Sequence, residues 1–165
     1  MSPLNHPRLI TPFCWNSTPQ YRCVLTAMCA VDLRKGWRGT HEITLSNGLV
    51  VRIYDDRLEI PSGYASDLSS PAIRVCGRWI GTPTGWKEAL AAVVHDVLRQ
   101  VMNCRLPCLK HLTRKLTDDE FFDFLIEAKS PWFRIYHRAV SGPVGTLFMV
   151  LTNKPEKATC KCHTP

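Results

Sequence analysis

The sequence predicts an α+β fold in which a small antiparallel β-meander packs against three to four helices. Three observations carry this. Between His41 and Ile60, apolar residues alternate with polar ones across two turn signals, as in strands with one buried face. Between Trp86 and Met102, the residues Leu90, Val93, Val94, Val97, Leu98 and Val101 recur at i, i+3, i+4 and i+7, the stripe of an amphipathic helix. Hydrophobic residues make up 45% and charged residues 21% of the 165 positions, the composition of one ordinary domain with a real core.

Residues 1–20 carry Pro3, Pro7, Pro12 and Pro19. They read as an extended arm, because proline lacks an N–H and restricts the residue before it. The arm's large apolar residues, Leu9, Ile10, Phe13 and Trp15, are candidate partner contacts. Residues 21–153 read as a single α+β domain. Its first part, 21–38, is ambiguous between strand and short helix. Ile43 and Leu45 then mark a strand, Ser46-Asn47-Gly48 a tight turn, and Leu49, Val51 and Ile53 a second strand, with Val50 on its other face. Asp55-Asp56 is a second turn, and Leu58 and Ile60 mark a third strand. The stretch 61–83 reads as a long ordered loop.

The first helix is expected over 86–102. A second, over 117–128, is expected to start at a capping box of Thr117 and Glu120, with Phe121, Phe122, Phe124, Leu125 and Ala128 facing the core. Ser130-Pro131 is expected to open a third helix over 131–152, Ser130 capping and Pro131 in the first turn. Trp132, Ile135, Tyr136, Ala139 and Val140 form its apolar stripe, and Gly142-Pro143 breaks or kinks it. Residues 154–165 read as a basic, cysteine-containing tail.

A formal net charge of +7 favours an acidic partner through long-range attraction. The basic residues are scattered, and no run of five or six interleaves with aromatics, so a nucleic-acid partner is not expected. No membrane span is expected, since Val144 to Leu151 falls far short of the roughly 20 residues a spanning helix needs. No export signal is legible, which places synthesis and folding in the cytoplasm. There the eight cysteines, Cys14, Cys23, Cys29, Cys76, Cys104, Cys108, Cys160 and Cys162, are expected as thiols and not as a disulfide framework. The spacings Cys104-x3-Cys108 and Cys160-x-Cys162-His163 are not the usual zinc knuckles. Whether Cys160, Cys162 and His163 bind zinc is left open by the spacing, and no metal or other cofactor is assigned.

Two stretches could hold chemistry. The loop Ile60 to Pro71 gathers Asp67 and four serines, among them Ser66 and Ser70, between prolines and a glycine. Such loops carry function more often than helices do, or bond to themselves as a structural turn. The second stretch is His95-Asp96 in the first helix. Asp118, Asp119 and Glu120 fit the favourable charge of a helix start. The candidate cluster is Asp67, Ser70, His95, Asp96 and Asp118. Its expected role is either to pin the loop or to activate water.

These pieces, in this order, resemble the tailed-bacteriophage family known as domain of unknown function thirteen fifty-three. In that family a Pro-x-Gly-aromatic-x-Thr/Ser-Asp-x-x-Ser loop precedes a helix bearing Ala-x-x-x-His-Asp, as Pro61 to Ser70 and Ala91 to Asp96 do here. An Ala-Asp-x-x-Phe helix and an aromatic, basic helix follow, like Thr117 to Leu125 and Trp132 to Gly145. Leu98-Arg99 stands where the family has a tyrosine, and Thr117 where it tends to alanine. The resemblance spans about residues 43 to 145. It implies a phage protein and leaves the activity open. The expectation is a virion or tail/neck-assembly protein, made in the host cytoplasm, that docks on other phage structural proteins in a symmetric assembly. The alternative is a metal-dependent hydrolase, acting on peptidoglycan during entry or lysis.

Overall fold

The computed structural model describes residues 6–17, 23–34, 39–66, 73–75, 78–80, 86–141 and 159–163. The class is α+β, with antiparallel sheets and three α-helices among the described residues. Strands β1 (Trp15–Asn16), β2 (Cys23–Leu25) and β3 (Cys29–Asp32) precede the meander of β4 (Thr40–Thr44), β5 (Val50–Tyr54) and β6 (Arg57–Ile60). Then come β7 (Ala65–Ser66), β8 (Ile73–Val75), β9 (Arg78–Ile80), α1 (Trp86–Asn103), α2 (Arg114–Glu127), α3 (Phe133–Ser141) and β10 (Thr159–His163). The main sheet has the order β10-β4-β5-β6-β3, β1-β2-β7 form a second sheet, and β8-β9 pair as a hairpin.

The meander follows its alternation. Ile43, Val51, Ile53, Leu58 and Ile60 are all fully buried, and Val50 is half-buried on the opposite face. Gly48 takes a φ of 82° in the first turn, where an L side chain would be strained, and Leu45 N–H donates to Leu49 O at 2.8 Å. The second turn holds Asp55 at a φ of 48°, a left-handed value that aspartate tolerates better than most residues. Residues 23–25 and 29–32, ambiguous by pattern, are strands because each meets a partner: β2 pairs with β7, and β3 with β6. The expected loop 61–83 likewise contains three short strands, β7, β8 and β9.

One hydrophobic cluster joins the strands to Leu90, Val93, Val94, Val97, Leu98 and Val101 of α1 and to Phe121, Phe124 and Leu125 of α2. Helix α2 starts earlier than its expected capping box. Thr113, extended at φ −110° and ψ 156°, is the N-cap, and its hydroxyl accepts from Leu116 N–H at 3.2 Å. Thr117 lies inside the helix, its hydroxyl donating back to Arg114 O, while Glu120 is occupied by an arginine from the N-terminal stretch. Ser130 does accept from Trp132 N–H at 3.2 Å, and it donates to the buried Glu88 of α1 at 2.6 Å. Of the expected stripe on α3, Tyr136 is buried but Trp132 and Ile135 are 40% and 49% exposed. The expected continuation of α3 to 152 lies outside the described residues beyond Ser141.

The described part of the N-terminal stretch is extended but folded onto the domain. Leu9 bridges Val31, β1 pairs with β2, and Phe13 is buried. The guanidinium of Arg8 is buried against α2: it meets Glu120 and forms a bidentate pair with Glu127 at 2.8–3.0 Å. His6 stacks on Phe124 and donates to its carbonyl at 3.1 Å. Of the four arm residues read as partner contacts, Phe13 is thus core, Leu9 and Trp15 pack against it, and Ile10 is 50% exposed. The tail contributes β10, paired along its length with β4. The described residues of the two ends, 6–17 and 159–163, therefore belong to the fold, through strand pairing at both and through the Arg8 ion pairs at the first. Among the described residues no helix is long and apolar enough to cross a membrane.

Candidate functional site

Helix periodicity puts His95 and Arg99, four residues apart, on one face of α1. That face is covered by α2. Asp118 accepts from His95 Nε2 at 3.0 Å and from Arg99 Nη2 at 2.8 Å on one oxygen, and from Arg114 Nε at 3.4 Å on the other. His95, Arg99 and Asp118 are all buried. Burial alone would raise the carboxyl pKa of Asp118, but the hydrogen bond from His95 and the charge of Arg99 outweigh it and hold it below its ordinary value. Burial lowers the pKa of His95, and Arg99 adds to that against the pull of Asp118. The pair is therefore a neutral imidazole and a carboxylate. Arg99 Nε also donates to His95 Nε2 at 3.2 Å, so that nitrogen stands between a donor, which calls for a lone pair, and the Asp118 carboxylate, which calls for a proton. His95 Nδ1 is buried, has no hydrogen-bond partner among the described residues, and lies 4.0 Å from an Asp96 oxygen.

Asp96 points elsewhere, as adjacent helix positions must. Its other oxygen accepts from Ser66 Oγ of β7 at 2.5 Å, and Tyr64 donates to Gln100 of α1 at 3.1 Å. The start of the loop is thus clamped to α1 through two side chains one turn apart. The ring of His95 lies against Phe121 at 4.7 Å, and Phe121 meets Tyr136 edge-on. Of the five candidate residues, the structure joins His95 to Asp118 directly and sets Asp96 beside them. Asp67 and Ser70 lie outside the described residues. Among the described residues no group of three or more metal-binding side chains could hold one ion.

Sequence reasoning named Ser66 and Arg99 but left both outside the candidate cluster, and it passed over Arg114 and the Arg8–Glu120 pair. Two signals were available. Arg99 repeats His95 at i+4, and Glu120 interrupts the apolar stripe of Thr117, Phe121, Phe124 and Leu125, which asks for a buried cation. No sequence signal named Arg8 as that cation, 112 residues away. Of the cysteines, Cys14, Cys23, Cys29 and Cys104 are thiols, and Cys108 is in a disulfide. Burial pushes Cys23 and Cys29 up to about 12, so neither is a nucleophile at neutral pH. Searches of protein-family models, of curated proteins and of solved structures found no match to the chain.

Proposed function

We propose that this protein is a tailed-phage structural or tail/neck-assembly component that docks on an acidic protein surface of the virion, with α3 as its contact element. The observation that carries the reading is the composition of that helix's outer face. Trp132 and Ile135 are exposed one turn apart, and Arg134 and Arg138 are exposed alongside them. An exposed tryptophan beside arginines is the residue mix of interface hot spots, and a soluble monomer gains nothing by solvating it. The net charge of +7 supports an acidic partner. Exchanging Trp132→Ala and Ile135→Ser together should leave the fold intact and reduce incorporation into washed particles at least tenfold. Incorporation at the wild-type level rules out α3 as the anchor. Absence of the unmodified protein from washed particles rules out the virion role.

A second reading, a hydrolase, is supported by one observation: a neutral His95 held by Asp118 and Arg99 through Nε2, with Nδ1 left without a hydrogen-bond partner among the described residues, has the form of an oriented acid–base group. The burial of the dyad weighs against it, because a substrate or an attacking water needs access to that nitrogen. Peptidoglycan hydrolysis by the wild-type protein that is lost in His95→Gln at unchanged melting temperature would favour this reading over docking.

A further inference from the structure

Residues 8–11 run along the outer edge of β3, the last strand in the order of the main sheet. Leu9 bridges Val31, Ile10 N–H donates to Ala30 O at 2.9 Å, and Asp32 N–H donates to Arg8 O at 2.9 Å. The Thr11 hydroxyl accepts from Ala30 N–H at 2.7 Å. The segment is a strap over a strand edge whose N–H and C=O groups would otherwise lie open. Two side chains fasten it to α2: Arg8 through Glu120 and Glu127, and His6 through both ring nitrogens. His6 Nδ1 accepts from Arg8 N–H at 3.2 Å, and Nε2 donates to the Phe124 carbonyl at 3.1 Å. An amide N–H only donates and a carbonyl only accepts, so both bonds require the neutral ring with its proton on Nε2. A second proton, on Nδ1, would set one N–H against another and break the bond to Arg8.

The surroundings of the ring disfavour that second proton. His6 is buried and stacks on Phe124 with centroids 5.1 Å apart, and the Arg8 guanidinium lies 4.6 Å from the centroid of the same Phe124 ring. Glu127 of α2 attracts a charge on His6, whereas Arg8 and Arg34, just after β3, repel it. Glu127 is already shared by those two arginines, at 2.8 Å from Arg8 and 2.9 Å from Arg34. Glu120 and Asp123 face Arg8. We propose that His6 is an acid-sensitive fastener, and that on its protonation the strap leaves β3 while the domain beneath stays folded. Release uncovers the backbone edge of β3. Burial lowers the pKa of His6, against the pull of the Phe124 carbonyl and Glu127. With the strap off, the ring is in water at its ordinary 6.5, so the open form binds the extra proton. Opening is therefore favoured as pH falls below 6.5, and the gain ends where the ring titrates in place. Burial would raise the Glu127 carboxyl, but Arg8 holds it below its ordinary 4.5, so Glu127 adds to the opening only near that pH and below.

Amide exchange of the full chain at pH 7.5 and 5.5, with rates corrected for their intrinsic pH dependence, tests the fastener. For one histidine the opening equilibrium rises by at most about tenfold between these values. The expected result is a loss of protection of about five- to tenfold at Ile10 and Asp32, with amides 90–101 of α1 at least about tenfold better protected at both pH values. His6→Gln keeps one acceptor and one donor without titrating, and its strap should lose less than about twofold. A wild-type loss below about twofold overturns the proposal. So does a strap no less protected than α1, since release is then not local, and so does an equal loss in His6→Gln. Nitrogen NMR of the His6 ring in the unmodified protein is the arm that needs no variant. The proton should sit on Nε2 at pH 7.5, and ring protonation should share its midpoint with the loss of strap protection. A proton on Nδ1 at pH 7.5, or a ring that titrates while the strap stays protected, overturns the fastener.

Discussion

Asp118→Ala is the sharpest test of the buried polar network. The substitution removes the carboxylate that accepts from His95 at 3.0 Å and Arg99 at 2.8 Å, and it leaves the guanidinium of Arg99 inside the α1–α2 interface without that counter-charge. Removing one partner of a buried ion pair costs about 3–5 kcal/mol, because the other charge stays desolvated. The long bond from the half-exposed Arg114 adds little to this. At roughly 2–4 °C per kcal/mol for a chain of this size, the melting temperature should fall by about 6–20 °C. Urea denaturation followed by circular dichroism measures the loss directly. The double variant Asp118→Ala/Arg99→Met separates charge burial from cavity formation. If stranded charge is the cause, removing the cation as well should recover more than half of the loss. A loss below about 1 kcal/mol in the single variant, or a double variant no more stable than it, refutes the reasoning.

Three further outcomes follow from the same geometry. Stability should fall as pH drops below about 6.5, since His6 and His95 are both held neutral by burial and their folded pKa values are lowered. The unfolded chain then binds the extra protons, and each histidine contributes at most about 1.4 kcal/mol per pH unit, with the loss ending below its folded pKa. Denaturation midpoints at pH 7.5 and 5.5 check this, and His6→Gln should flatten the profile. Replacing Arg8 with alanine should cost about 3–5 kcal/mol by leaving Glu120 buried and uncompensated, and hydrogen exchange should quicken over residues 6–17 first. In native labelling with iodoacetamide near pH 8, exposed Cys14 should react well before Cys23 and Cys29, whose thiols are buried and shifted to about 12.

The docking reading and the structure of the ends bear on each other. An arm whose apolar residues waited for a partner would leave Phe13 and Leu9 in water. In the structure they complete the core and the β3 edge, and Arg8 fixes them there. The exposed large apolar side chains among the described residues are instead Ile10, Met28, Ile126, Trp132 and Ile135. On the docking reading, those residues are the ones a partner would meet.

What the sequence determined by itself was local. Alternation at period two placed β4 to β6 within a residue or two, the turn chemistry of Asn47-Gly48 and Asp55-Asp56 placed their reversals, and the stripe from Leu90 to Val101 placed α1. Each follows from steric and hydrophobic preferences acting over a few residues. The start of α2 was harder, since Thr113 and Thr117 both offer a capping hydroxyl. The choice fell to Thr113 because Glu120 is drawn to Arg8 instead of back to a cap. The candidate site was legible as an inventory, with His95, Asp96 and Asp118 all singled out, but not as an arrangement. Periodicity gives the direction of a side chain relative to its own helix and nothing about the helix facing it. That Asp118 turns toward His95 and Arg99, that Asp96 turns away to Ser66, and that an arginine of the N-terminal stretch neutralises Glu120 were decided only by tertiary packing. Burial compelled those pairings, because a charge taken out of water needs a partner, and which partner lies within reach depends on contacts between residues far apart in the chain.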